Sequence, residues 1–244
     1  MNLFSRKGHN LDLAGAPSDS VVERDVVSYI KLHPKDFPGI KPKLLVSEGD
    51  SVKKSQPIYF DKNNPNVMFT SFSSGYIDKI VYGEKRSIES INIRIDHDIG
   101  EISFDTYDLD EIKNINIDKA IRTISTSGLW PCIRRRPFSK IAIPSKPPKS
   151  IFISSQSTYP YAPSLKVMLD IFNIEQIQAG INVFIALYSV DINIIIPKDF
   201  EVGKLSSLEG VNIHTFYGPH PAGNVGYHIS NIDPIKDKDD CVWY

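Results

Sequence analysis

Between residues 3 and 96 the apolar positions come in short runs, Leu44-Leu45-Val46, Ile58-Tyr59-Phe60, Val67-Met68-Phe69 and residues 76–81, each closed off by Gly, Pro, Asn or Asp. Runs of that length between turn-forming residues predict compact antiparallel β structure. The clearest strand is Ile91-Asn92-Ile93-Arg94-Ile95-Asp96. Its strict alternation predicts three isoleucines on a buried face and polar residues in water, hence a sheet with one wet side.

The period changes after the acidic stretch 105–111. Ile117, Ile121 and Ile124 share one helical face, Asn116 or Asp118 is placed to cap its start, and Gly128 would end it. Residues 141–148 carry three prolines and no periodicity, which predicts an extended connector. Ile151-Phe152-Ile153 then reads as a strand. Leu165, Met168, Leu169 and Phe172 follow helical spacing, and a second helix is expected over Ile174–Tyr188 with Ile177, Ile181 and Ile185 on one face. Ile192-Asn193-Ile194-Ile195-Ile196-Pro197 and Val211-Asn212-Ile213-His214-Thr215 predict buried strands, and Val242-Trp243-Tyr244 has the character of a strand's start. Strands alternating with helices imply an α/β layer with a largely parallel sheet. The expected organisation is a β domain over 1–105 with an N-terminal extension, a helical segment and linker over 106–148, and an α/β domain over 149–244 that is truncated at its C-terminal end.

Composition narrows the chemistry mainly by exclusion. A formal net charge of -1 gives no whole-chain field for nucleic acid or an anionic membrane. Cys132 and Cys241 stand alone, without the spacing of a zinc site or a disulfide scaffold. No apolar run has the length of a signal peptide or a membrane span. His9, His33, His97, His214, His220 and His228 form no metalloprotease-like pair, and no Walker loop, GxSxG elbow or GxGxxG fingerprint occurs. Ser154-Ser155-Gln156-Ser157 follows a predicted strand at its carboxyl end, where α/β folds bind ligands; this placement alone recommends it.

Two stretches resemble the halves of a biotinyl or lipoyl domain: Lys41-Pro42-Lys43-Leu44-Leu45-Val46-Ser47-Glu48-Gly49-Asp50-Ser51-Val52, continuing to Ile58, and Phe69-Thr70-Ser71-Phe72-Ser73-Ser74-Gly75-Tyr76-Ile77-Asp78-Lys79-Ile80. Gly49-Asp50 supplies a tight turn, and Gly75 lets the backbone bend where the second half begins. The resemblance implies a β-sandwich of the barrel-sandwich hybrid type. In its modified members a hairpin lysine carries the cofactor, and Lys62 occupies the matching region. A swinging arm on Lys62 is one reading. Asn63-Asn64-Pro65-Asn66 suggests instead a longer, differently shaped loop, with Lys62 an ordinary solvated side chain.

Further segments single out one family. Leu11-Asp12-Leu13-Ala14-Gly15-Ala16-Pro17, Asp61-Lys62-Asn63-Asn64-Pro65, the stretch Ser127-Gly128-Leu129-Trp130-Pro131-Cys132 with its following Arg134-Arg135-Arg136, and Gly218-Pro219-His220-Pro221-Ala222-Gly223 together resemble the A-type subunits of the sodium-translocating NADH:quinone oxidoreductases. The resemblance runs nearly the whole length. It implies a peripheral subunit on the cytoplasmic face of a bacterial inner membrane, in a respiratory complex that oxidises NADH, reduces ubiquinone and exports sodium. It also implies an α/β Rossmann-like domain related to the FMN-binding subunit of complex I. In those flavin-binding relatives a glycine-rich loop lets the backbone approach the cofactor. Here the stretch after Gly128 lacks glycine, two of its prolines lack N–H donors, and Trp130 and Phe138 would fill the space. No cofactor is therefore expected on this chain. FAD, FMN, riboflavin and an iron–sulfur centre are expected on partner subunits, one partner being a membrane subunit, with catalysis belonging to the complex.

Within that reading Trp130, Arg134, Arg136, Phe138, Lys140 and His220 are the residues expected near quinone. Arginines suit bidentate recognition of an anion, and equally a docking surface for acidic residues of a neighbour. His220, set between prolines, suits a hydrogen bond to a quinone carbonyl or a purely structural turn. The rival functions are a carrier modified at Lys62 and a flavin- or NADH-binding electron-transfer subunit.

Overall fold

The computed structural model describes residues 1–23, 27–155, 157–237 and 239–244. The first half runs β1 (Asn2–Phe4), β2 (Tyr29–Leu32), β3 (Pro42–Leu44), β4 (Ser51–Val52), β5 (Pro57–Asp61), β6 (Asn64–Thr70), β7 (Gly75–Tyr82) and β8 (Ile88–Ile95). Strands β2-β8-β7-β4 and β3-β5-β6 form two antiparallel sheets. Alternating residues of both fill the space between them: Val52, Ile58, Val67, Ile77, Ile91 and Ile93 are each at most 1% exposed. Ile95, at the end of β8, is only half covered. The two resembling halves are stitched at the Gly49-Asp50 turn. Gly49 N–H donates to Ile77 O at 2.7 Å, Ile77 N–H to Asp50 O at 2.9 Å, and Ile80 N–H to Glu48 Oε1 at 2.7 Å.

The β5–β6 hairpin corrects the long loop expected after Lys62. Only Lys62 and Asn63 separate the strands, because Asp61 Oδ1 accepts the N–H groups of both Lys41 (2.8 Å) and Asn63 (3.0 Å) and Asp61 pairs with Asn64. Pro65 is accommodated because β6 is an edge strand.

The second half contains α1 (Leu109–Ile112), α2 (Ile117–Thr126), β9 (Arg134–Arg136), β10 (Lys140–Ile141), β11 (Ser150–Ser154), α3 (Leu165–Ile171), α4 (Ile174–Tyr188), β12 (Asp191–Pro197), β13 (Val211–Tyr217), α5 (Val225–Ile232) and β14 (Val242–Trp243). One seven-stranded sheet has the order β1-β13-β12-β11-β14-β9-β10, the first five strands parallel and the last two antiparallel. Caps set the helices as their side chains dictate. Asn116 Oδ1 accepts Lys119 N–H (2.9 Å) at the start of α2, and Asn173 Oδ1 accepts Glu175 N–H (2.9 Å) at the start of α4.

Two segments depart from the places the pattern gave them. β1 crosses from the N-terminus to pair with β13, and Leu3 enters the core at 2% exposure. The stretch 141–148 is anchored rather than a bare connector. Ile141 ends β10, and Ala142 is fully buried, its N–H donating to Ile133 O (2.9 Å) and its carbonyl accepting Trp130 Nε1–H (2.9 Å). The halves meet where β6 packs against α2, with Thr70 Oγ1 donating to Ser127 O at 3.3 Å. Gly128 sits at that contact with φ +84°, and a Cβ there would collide with Thr70 Oγ1.

Candidate functional site

The chain visits β11, β12 and β13 stepwise toward one edge, then returns through α5 to place β14 on the other side of β11. That reversal is a topological switch point, and in open α/β sheets ligands bind outside the carboxyl ends of the strands flanking it. Beyond its pairing with Trp243, β11 continues through Phe152, Ile153 and Ser154, and Ile153 is 38% exposed. Between the length of β11 from Ile151 to Ser154, the start of β12 at Ile192, and α4 lies a cavity of about 460 Å³. Ile133, Ile151, Ile153, Ile177, Ile181 and Phe184 make it apolar, with Gln176 and Ser154 as its polar groups and Gly180 opening the helix side. An added Cβ at Gly180 meets nothing within 4 Å. Apolar walls with few polar groups suit a flat, largely hydrophobic ring compound.

The residues singled out from the sequence divide around this cavity. Trp130 is corrected from a ligand-facing residue to a core residue. It is fully buried, its Nε1–H is spent on Ala142 O, and its ring packs edge-on against Trp243 with centroids 5.7 Å apart. Arg134, Arg136, Phe138 and Lys140 share the β9–β10 hairpin beside Tyr244, itself a lining residue. Arg134 Nη1–H donates to Ser139 O at 3.0 Å, and the Arg136 guanidinium lies 5.0 Å from the Tyr244 ring centroid. Phe138 is 78% exposed at the hairpin tip, and Lys140 is exposed. Arg136 also borders a second cavity, of about 250 Å³, with Gly226, Ile229 and Pro234.

His220 is not part of this group. It follows β13, where Nδ1 shares a hydrogen bond with Thr158 Oγ1 (2.9 Å), its N–H donates to Asn10 Oδ1 (2.9 Å) and its carbonyl accepts His9 N–H (3.0 Å). These contacts tie the N-terminal extension to the sheet's carboxyl edge. Gly218, at φ +117°, permits Ser5 to pass so closely that a Cβ would collide with its carbonyl. In the serine run, Ser155 Oγ–H turns back to Ile195 O (2.6 Å), Ser157 Oγ accepts Tyr159 N–H (3.1 Å), and Gln156 lies outside the described residues. Lys62 is exposed on the other domain.

Cys132, Ile133, Gln176, Gly180 and Phe184 line the cavity without having been singled out. Gly180, a glycine in the interior of a predicted helix, was the available signal. Burial moves several titrations in the second half of the chain. The Tyr188 hydroxyl, donating to Pro144 O at 3.1 Å, is pushed up to about 12 by desolvation. Desolvation also lowers His228, whose Nε2 pairs with Ala222 O at 2.7 Å, and His214, which pairs with Asn193 Oδ1 at 2.9 Å. Among the described residues no group of three or more His, Cys, Asp and Glu side chains could hold a metal.

Residues 4–96 match the family model described as the NqrA N-terminal barrel-sandwich hybrid domain, and residues 116–244 that of the NqrA second alpha/beta domain. The chain belongs to the NqrA family. NqrA relatives include the A subunits of the Na(+)-translocating NADH-quinone reductases of Yersinia pseudotuberculosis serotype O:1b (34% identical over 239 residues) and Tolumonas auensis (33% over 240 residues). That of Histophilus somni strain 129Pt is 33% identical over 239 residues. Each comparison covers 98% of this chain and 53% of the relative, so the chain spans about half the length of the NqrA proteins it matches. As expected from the sequence, a barrel-sandwich hybrid domain precedes an α/β domain. Among the described residues no helix is long and apolar enough to cross a membrane.

Proposed function

We propose that this chain serves as the N-terminal part of the cofactor-free, peripheral NqrA component of a sodium-translocating NADH:quinone reductase, at the cytoplasmic face of the membrane. Its role there is access for ubiquinone and assembly with a membrane subunit. The observation that carries the quinone reading is the apolar cavity between β11 and α4. A quinone ring fits its walls of isoleucine and Phe184, and Gln176 and Ser154 offer hydrogen bonds to the carbonyls. This moves the expected quinone contacts from Trp130 and His220 to the β11–α4 wall, with the hairpin of Arg134, Arg136, Phe138 and Lys140 joined to it through Tyr244, which lines the cavity and lies against the Arg136 guanidinium. The related names support membership of the complex, since those proteins are called subunits of an NADH-quinone reductase. The cofactor-free reading is supported by the segment after Gly128, where Trp130 and Pro131 occupy the interior themselves. The reaction itself belongs to the complex, with flavins and the iron–sulfur centre on other subunits.

The test is photoaffinity labelling of the purified chain with an azido-ubiquinone, with unlabelled quinone as competitor and peptide mapping as readout. Competable label in residues 132–140 or 174–188 is the expected result. Gly180→Phe, which fills the open side of the cavity, should reduce it about tenfold, the cost of an obstructed apolar site. Label confined to other segments, or unchanged by Gly180→Phe, would sink the assignment of this cavity.

A further inference from the structure

We infer that the barrel-sandwich domain carries a separate binding site for an organic phosphate: an anionic phosphate group joined to an apolar body. Three loops converge on one depression of about 570 Å³, namely the segment after β2, the β5–β6 hairpin and the turn between β7 and β8. Its floor is apolar, made by Phe37, Ile40 and Ile88, which are half-buried against the domain core. Its rim is cationic, made by the exposed Lys41, Lys62 and Arg86. The chain as a whole is nearly neutral, so this clustering is a local feature.

The cations are positioned and uncommitted. Lys62 N–H donates to Lys41 O at 2.8 Å, which holds the two lysines side by side. Among the described residues none of Lys41, Lys62 and Arg86 has a carboxylate within ion-pair distance. The nearby acids are otherwise engaged: Asp61 Oδ1 accepts two backbone N–H groups, and Glu89 pairs at 3.1 Å with Lys35, a fourth cation of the same wall. The backbone adds an independent observation. Lys85 and Arg86 are consecutive non-glycine residues at φ +54° and +58°, a left-handed conformation that side chains disfavour. Strain of this kind persists where the surroundings impose it, and it collects at ligand clamps. Here it carries Arg86 to the rim. A guanidinium suits bidentate contact with phosphate oxygens, lysines add point charge, and the Phe37–Ile40–Ile88 floor takes the apolar remainder. Such a ligand comes from two sources, a phospholipid headgroup at a membrane surface or a soluble phosphate ester.

The experiment uses the folded 244-residue chain. Phenyl phosphate is titrated with amide chemical shifts as readout, and sedimentation is measured with vesicles of phosphatidylglycerol in phosphatidylcholine. Saturable phenyl phosphate binding with shifts at Lys62, Arg86 and Ser87 identifies a soluble ester; vesicle binding without it identifies the headgroup. In either case Lys41→Gln and Lys62→Gln each weaken binding about fivefold, the size of one exposed charge contact, whereas Lys166→Gln on α3 leaves it unchanged. Arg86→Gly separates ligand holding from folding. It should weaken binding while leaving Tm at or above that of the parent, because glycine adopts the left-handed conformation freely. Absence of saturable binding to both probes overturns the site. So does a loss as large with Lys166→Gln, or an Arg86→Gly chain that melts earlier and binds as before.

Discussion

At the scale of single residues, Gly128 shows how a short motif encodes a contact between halves of the chain. Its φ of +84° disfavours any side chain, and Thr70 Oγ1 occupies the place of a Cβ. Gly128→Ala is expected to lower stability by about 2–4 kcal/mol, adding left-handed strain to overpacking, in a urea titration read by tryptophan fluorescence. Thr70→Ala beside Gly128→Ala should restore part of the loss, since the hydroxyl oxygen that occupies the place of the new Cβ is removed. The sequence showed Gly128 as a helix end but not its contact with β6, which depends on a partner 58 positions earlier in the chain. The same holds for Trp130. An aromatic in a motif invites a ligand, and only the packing of Trp243 and the Ala142 carbonyl reveals it as a core residue.

Two histidines give the molecule a direction of pH dependence. His228 is fully buried; desolvation lowers its pKa, His214 adds to the fall, and its bond with the Ala222 carbonyl opposes it. His214 is lowered by desolvation first and by the N-terminal ammonium second. A depressed folded pKa means the unfolded chain binds more protons over the intervening pH range, so this stability is present above about pH 6.5 and is lost as pH falls through the folded pKa. Urea midpoints should therefore fall between pH 7.5 and pH 5.5, and His228→Gln should flatten that dependence. Equal slopes in the two proteins would place the sensitivity elsewhere.

At the scale of elements, helix α4 was fully legible and its purpose was not. Ile174–Tyr188 follows from a capping Asn173 and the spacing of Ile177, Ile181 and Ile185, all local signals. What α4 leaves open toward β11 depends on the sheet order, which no local signal carries. Gly180 records that opening. Because nothing lies within 4 Å of an added Cβ, Gly180→Ala should stabilise the chain by about 0.5–1 kcal/mol through helix propensity alone, visible as a raised urea midpoint. A fall instead would mean that this face of α4 is closed. The β5–β6 hairpin teaches the converse. Asn63-Asn64-Pro65-Asn66 has the composition of a loop, yet Asp61 captures two backbone N–H groups and closes the turn in two residues. A side chain accepting from residue 41 is a tertiary contact, invisible to turn propensity.

At the scale of the whole molecule, the N-terminal strand decides whether the two halves act as independent domains. β1 is the edge strand of the second sheet, while β2, the next strand in sequence, belongs to the first sandwich. Leu3 is 2% exposed in the cluster formed with Phe152, Ile195, Phe216 and Ile229. On the way, the extension is held by Asn10 on His220, by the Ala14 carbonyl on Tyr161 and by Asp19 on Ser164. Alternation along three residues could not have assigned β1 to a sheet, since its partner lies more than 200 positions away. Strands β1 and β14 thus belong to one sheet, with the sandwich inserted between them in sequence, and the halves also share the Thr70–Gly128 contact. Such wiring is expected to couple their unfolding. Leu3→Ala removes a buried side chain and is expected to cost about 2–4 kcal/mol. The decisive readout is where that loss appears. If the halves unfold as one unit, hydrogen exchange of Ile91 and Ile93 amides in the sandwich accelerates with that of Ile194 and Ile195, although Leu3 packs in the core of the second half. If the exchange of β8 is untouched while that of β12 rises, the sandwich is energetically autonomous, and the β1 crossing serves to position the extension over the sheet's carboxyl edge without sharing stability between the domains.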